Sequence, residues 1–147
     1  MSEPFVVVHI RGRVRRASIL LVEADRGVRL TLKQILEQSG YRVHSAAALG
    51  EALDLLRPGK VRLDAVITEL NIDGSGSGLE VARAAKVPAS PPVVIIYTGY
   101  PDKEQLRAAM SLRVDYLALK PVEIGEITSA LNTLIARRSV NVALASS

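Results

Sequence analysis

The chain has no cysteine, which excludes disulfide frameworks, thiolate metal sites and cysteine nucleophiles. That absence suits a reducing cytoplasm. Long apolar runs are missing as well. The longest near the start, Phe5-Val6-Val7-Val8-His9-Ile10, is too short for a signal-peptide core, and nothing approaches a membrane-spanning helix. The expectation is a soluble, cytoplasmic protein with no membrane partner. No aromatic residues interleave with the arginines at the start, and no recognition-helix pattern follows them, which argues against nucleic acid as a partner.

The formal net charge is +4, but Arg11, Arg13, Arg15 and Arg16 against Glu3 place +3 of it in the first seventeen residues. The rest of the chain carries +1. A basic arm can attract nucleic acid or anionic lipid, but residues 1–16 read better as a solvated, partly flexible leader. The apolar run 5–10 inside it could add an edge strand, pair between two chains, or stay disordered. The 147 residues, 48% of them hydrophobic, suit one domain with its own core.

What the chain does have is four short apolar runs that each stop at a polar residue. Ile19-Leu20-Leu21-Val22 meets Glu23-Ala24-Asp25, and Ala65-Val66-Ile67-Thr68 meets Glu69. Val93-Val94-Ile95-Ile96-Tyr97 meets Thr98, and Tyr116-Leu117-Ala118-Leu119 meets Lys120-Pro121. Val/Ile/Leu runs without alternation suit parallel strands covered on both faces, and such sheets bind ligands at the carboxyl ends of their strands.

Between the strands lie helix-like stretches. The apolar stripe predicts a first helix from Gly27 to Ser39, stopped by Gly40. The alternating segment Tyr41 to Ser45 predicts an edge strand. Further helices are expected over Ala47 to Arg57, Leu79 to Ala85, Asp102 to Leu112 and Glu123 to Arg138, leaving 139–147 as a tail too short for an output domain. The segment Asp73-Gly74-Ser75-Gly76-Ser77-Gly78 carries nothing to bury and predicts a mobile loop. Its glycine spacing fits no phosphate-cradling motif. Strict alternation predicts a doubly wound, flavodoxin-like α/β fold in three layers, α/β/α, with a five-stranded parallel sheet in the order 2-1-3-4-5.

The residues at these strand ends resemble the receiver domain of bacterial two-component response regulators, over about Ala17 to Arg138. The resemblance rests on Leu21-Val22-Glu23-Ala24-Asp25, Asp64 to Leu70, Thr98-Gly99 and Lys120-Pro121-Val122 in order. It implies a phosphoacceptor position at Glu69, a pocket of Glu23, Asp25, Thr98 and Lys120, and switch positions at Thr98 and Leu117. A histidine kinase or a downstream regulator is the implied partner, with homodimerisation possible through the fourth helix, fifth strand and fifth helix. Within that region Met110, Leu112, Val114 and Tyr116 could form an exposed apolar patch or part of the core. Phosphoryl transfer in such a pocket is positioning and charge neutralisation by Mg²⁺ and an ammonium group.

The chain departs from this pattern at two positions. Glutamate at 69 adds roughly 1.5 Å of reach to the family's aspartate, and a misplacement near 1 Å can cost about a hundredfold in rate. Ala24 stands in place of the second acid, and Asp25 reads as the N-cap of the first helix. Glu23, Glu69 and Asn71 are left as a thin set for Mg²⁺, so no cofactor is expected. Tyr116 is one residue before the usual switch aromatic, and one step along a strand reverses the face. Glu69 and Lys120 could pair as ions. The expected function is a degenerate, non-enzymatic receiver acting by protein–protein contact. The alternatives are a phosphoacceptor receiver using Asp25 or Asp73, and a flavodoxin-like cofactor binder. The cofactor binder would need to place an anion against Glu23-Ala24-Asp25-Arg26. His9 and His44 have no nucleophile or metal partner in the sequence.

Overall fold

Strands covered by helices on both faces are buried along nearly their whole length, and the central strands of this chain are. A computed structural model describes residues 7–10, 13–74 and 76–146, with side chains over 15–74 and 76–139. Phe5, Val6, Arg11 and Ser75, on which parts of the leader and loop readings rest, lie outside the described residues. In chain order the elements are β1 (Val7–Ile10), β2 (Arg13–Arg16), β3 (Ser18–Val22), α1 (Arg26–Gln38), β4 (Arg42–Ala46) and α2 (Leu49–Leu55). They continue with β5 (Ala65–Glu69), α3 (Gly78–Ala85), β6 (Val93–Thr98), α4 (Lys103–Ser111), β7 (Tyr116–Leu119) and α5 (Ile124–Ser146).

Strands β3 to β7 form one parallel sheet in the order β4-β3-β5-β6-β7. This is the predicted 2-1-3-4-5 order, shifted in numbering by the two strands that precede it. Side-chain alternation splits the core in two. Ile19, Leu21, Ile67, Ile95 and Tyr97 pack under α1 and α5 with Leu36, Leu131 and Ile135. Leu20, Val22, Val66, Val94 and Ile96 pack under α2, α3 and α4 with Ala52, Val81, Ala82 and Ala109. The period of two therefore builds the three layers. β4 is an edge strand, as its mixed burial pattern indicates.

Three expectations need correction. The leader is not simply solvated: β1 and β2 pair as an antiparallel hairpin with Val7 opposite Arg16, and β1 packs against α5. Arg15 anchors the hairpin through both guanidinium nitrogens to Asp64, at 2.8 and 2.9 Å. The supposed tail is helix: α5 continues to Ser146 because no Gly or Pro follows Gly125 to stop it. The glycine-rich loop does bury residues, since Ser77 and Gly78 are enclosed at its end. Gly78 N–H donates to Leu70 O at 2.8 Å, and a Cβ at Gly78 would lie 2.2 Å from Glu69 O. Only glycine allows this approach of α3 to the end of β5. Met110 is exposed, whereas Leu112, Val114 and Leu117 pack on the α2–α4 side and Tyr116 on the other.

Candidate functional site

Parallel strands bring their carboxyl ends to one edge, and Glu23, Glu69, Thr98 and Lys120 follow β3, end β5, end β6 and follow β7. Backbone register sets their heights. Glu69 is paired with Tyr97, and Thr98 with Leu119. Lys120 N–H then donates to Thr98 O at 2.8 Å, which fixes where the lysine side chain leaves the sheet. The Lys120–Pro121 peptide is cis.

At the centre, Lys120 Nζ donates to Glu69 Oε1 at 2.8 Å, with the Glu69 side chain 12% exposed and that of Lys120 40%. The second oxygen, Glu69 Oε2, accepts from Leu70 N–H at 2.6 Å and lies 3.5 Å from Asn71 N. Glu23 is buried. Its Oε1 accepts from the Tyr97 hydroxyl at 2.5 Å, and its Oε2 accepts from Asp25 N–H at 3.0 Å. Lys120 also sits over the Tyr97 ring, 5.1 Å from its centroid. Burial pushes the Tyr97 phenol well above its ordinary range, and the Glu23 hydrogen bond and the charges of Glu23 and Glu69 push it the same way. The phenol stays protonated and donates to the carboxylate.

The remaining candidates play other parts. The Asp25 side chain caps α1, its Oδ1 accepting from Val28 N–H at 2.9 Å. Thr98 is buried at the same edge, but its hydroxyl bonds neither Glu69 nor Lys120. Asn71 Oδ1 accepts from Gln105 Nε2 at 3.0 Å, which ties the loop to the capping box of α4. Asp73 Oδ1 accepts from Ser77 Oγ at 2.5 Å. Leu117 is a packing residue on the α2–α4 side. Sequence reasoning missed Tyr97 and Gly78. An aromatic ending an apolar run just before Thr98, and a glycine opening a helix after a loop, were the available signals.

The donor set does not fit Mg²⁺ as it stands. The ion takes near-octahedral oxygen ligands, yet Ala24 supplies none and all four oxygens of Glu23 and Glu69 already accept from protein donors. Among the described residues, no three His, Cys, Asp or Glu side chains gather as a metal site.

The fold and this edge define a doubly wound α/β domain with a charged pocket at the carboxyl ends of its strands. The family model for the response regulator receiver domain matches residues 19–132. The chain belongs to that family, a module of two-component signal transduction. It is 30% identical over 121 residues to sporulation initiation phosphotransferase F of Bacillus subtilis, covering 82% of this chain and 95% of that protein. It is 29% identical over 126 residues to the KDP operon transcriptional regulatory protein KdpE of Escherichia coli, covering 86% of this chain. It spans 54% of that regulator. Among solved structures, a receiver domain protein from Clostridium thermocellum superposes with a TM-score of 0.75 at 26% identity, covering 84% of this chain and 98% of that one. Receiver domains are generally signalling modules that interact with histidine kinases and downstream effectors, not enzymes. No helix among the described residues is long and apolar enough to cross a membrane.

Proposed function

We propose that this receiver is degenerate: it signals by protein–protein contact without aspartyl phosphorylation, and Glu69 stands permanently where the family's acceptor would be modified. The observation that carries the reading is the Lys120–Glu69 contact at 2.8 Å, made while the other Glu69 oxygen accepts from Leu70 N–H. The lysine that would pair with phosphoryl oxygens is already paired. The carboxylate carries less charge and fewer acceptor oxygens than a phosphoryl group, so it imitates the modified state only in part. The partner is a histidine kinase or a downstream regulator in the cytoplasm. The surface of α4, β7 and α5, where Met110 and Leu119 are exposed, is the docking or dimerisation face.

Intact-mass measurement after incubation with acetyl phosphate and Mg²⁺ tests this. Wild type should gain no phosphoryl mass, whereas the Glu69→Asp, Ala24→Asp double variant should gain one. Equal labelling of wild type, on Asp25, Asp73 or any other carboxylate, would sink the proposal.

A further inference from the structure

The amino end of the sheet, opposite the Glu69 pocket, carries a cluster that signalling at the carboxyl edge does not use. Arg15 and Arg16 close β2, Arg42 opens β4 with His44 two residues on, and Arg62 precedes β5. These five side chains line one cleft of about 390 Å³. Among the described residues only Ser18 and Val61 complete the lining, and none of them brings a carboxylate to the space. Register explains the grouping. Ser18 pairs with Arg42 and Leu20 with His44, and the period of two puts Arg42 and His44 on one face of the edge strand.

The acid beside the cleft is already committed. Asp64 is 0% exposed, and its oxygens are taken by the Arg15 fork, by Ser18 N–H at 2.8 Å and by Arg138 at 3.6 Å. Arg15 is thereby neutralised. Arg42 and Arg62 are exposed and form no ion pair among the described residues.

We propose that this cleft binds the phosphate groups of a small polyanion, the chemistry shared by nucleoside triphosphates and inorganic pyrophosphate. Arginine presents a planar fork that matches phosphate oxygens in pairs. The volume falls in the range of small-molecule sites, roughly 300–1,000 Å³. A single-stranded nucleic acid would call for a longer basic track with aromatic stacking platforms, and among the described residues no Phe, Tyr or Trp lines this cleft.

Isothermal titration calorimetry on the full chain at physiological salt, with ATP, pyrophosphate and a single-stranded oligonucleotide as separate probes, decides it. Both small anions should bind at one site. The Arg42→Ala, Arg62→Ala double variant should weaken them at least about tenfold, as expected for lost charge-assisted hydrogen bonds, with its thermal unfolding unchanged. Arg42→Lys with Arg62→Lys should restore part of the loss, and Glu69→Gln should bind like wild type. ATP binding more tightly than pyrophosphate would identify a nucleotide site; equal affinity would identify a phosphate site, and both support the proposal. No measurable heat at millimolar ligand, undiminished binding by the double alanine variant, or tighter binding of the oligonucleotide than of either small anion would overturn it.

Discussion

Replacing Tyr97 by phenylalanine removes one oxygen and tests how the pocket is held together. The hydroxyl donates to Glu23 Oε1 at 2.5 Å, with Tyr97 3% exposed and Glu23 5% exposed. A hydrogen bond to a charged group contributes about 1.5–3 kcal/mol, and removing the donor leaves a buried carboxylate oxygen unsatisfied, so about 2–3 kcal/mol is expected. For a chain of this length that corresponds to a fall of roughly 6–10 °C in unfolding temperature. Circular dichroism during thermal and urea unfolding measures both quantities.

The same variant has a signature at alkaline pH that a simple packing defect lacks. In the unfolded chain the phenol ionises near pH 10, whereas in the fold burial first, then Glu23 and Glu69, keep it protonated to higher pH. Above about pH 10 the native state therefore holds more protons than the unfolded state, and stability that is complete below that pH is lost as pH rises toward the folded value. Tyr41, bonded to Asn132, is raised too, by burial. Each such tyrosine contributes a decline of about 1.4 kcal/mol per pH unit in that window. Tyr116 is raised by its bond to Glu126 but sits at the surface, where solvent screens it. The variant should lose the Tyr97 share of the slope. Equal neutral stability, within about 0.5 kcal/mol, together with an unchanged alkaline slope would refute the view that Tyr97 secures Glu23.

Two further substitutions probe the supports of the site. Asp64→Asn keeps the shape but breaks the ion pair between the fully buried Asp64 and Arg15, whose own side chain is 27% exposed; a loss of about 3–5 kcal/mol is expected from urea unfolding, and a loss under about 1 kcal/mol would mean that the hairpin is not anchored there. Gly78→Ala forces a Cβ to within 2.2 Å of Glu69 O and 2.7 Å of Leu70 Cα. Because both are backbone atoms the strand end must shift, costing about 1–3 kcal/mol or more, and a variant as stable as wild type would show that the approach of α3 is not tight.

The sequence made the strands legible because β3, β5 and β6 are buried at nearly every position, and a buried parallel strand has no polar residue to hide it. Glu23, Glu69, Thr98 and Lys120 were legible for a related reason: each comes at or just after the point where such a strand leaves the core. The failures share a cause. Tyr97 looks like one more core residue, and its role depends on Glu23, 74 positions away. The basic leader looked solvated because its neutralising acid, Asp64, lies 49 positions from Arg15. Long-range pairs of this kind leave no periodic trace. The extension of α5 was missed for the opposite reason, since the absence of a stop signal is itself the signal.

On the proposed reading, the two departures from the family pattern are electrostatically linked. A pocket that accepts a phosphoryl group must keep its lysine and its carboxylate oxygens available for the incoming oxygens and for a metal ion. With Ala24 in place of an acid, Glu23 is the one carboxylate left of the pair, and two neutral donors, the Tyr97 hydroxyl and Asp25 N–H, satisfy it. Glu69 has enough reach to meet Lys120 directly, and the lysine rests over the ring of that same tyrosine. Lys120 thus pairs with one of the two carboxylates, Glu69, while neutral donors satisfy the other, Glu23, so every oxygen of both is hydrogen-bonded within the protein. On that reading the identities of residues 24, 69 and 97 hold in place, without modification, a charge arrangement that imitates the modified state only in part.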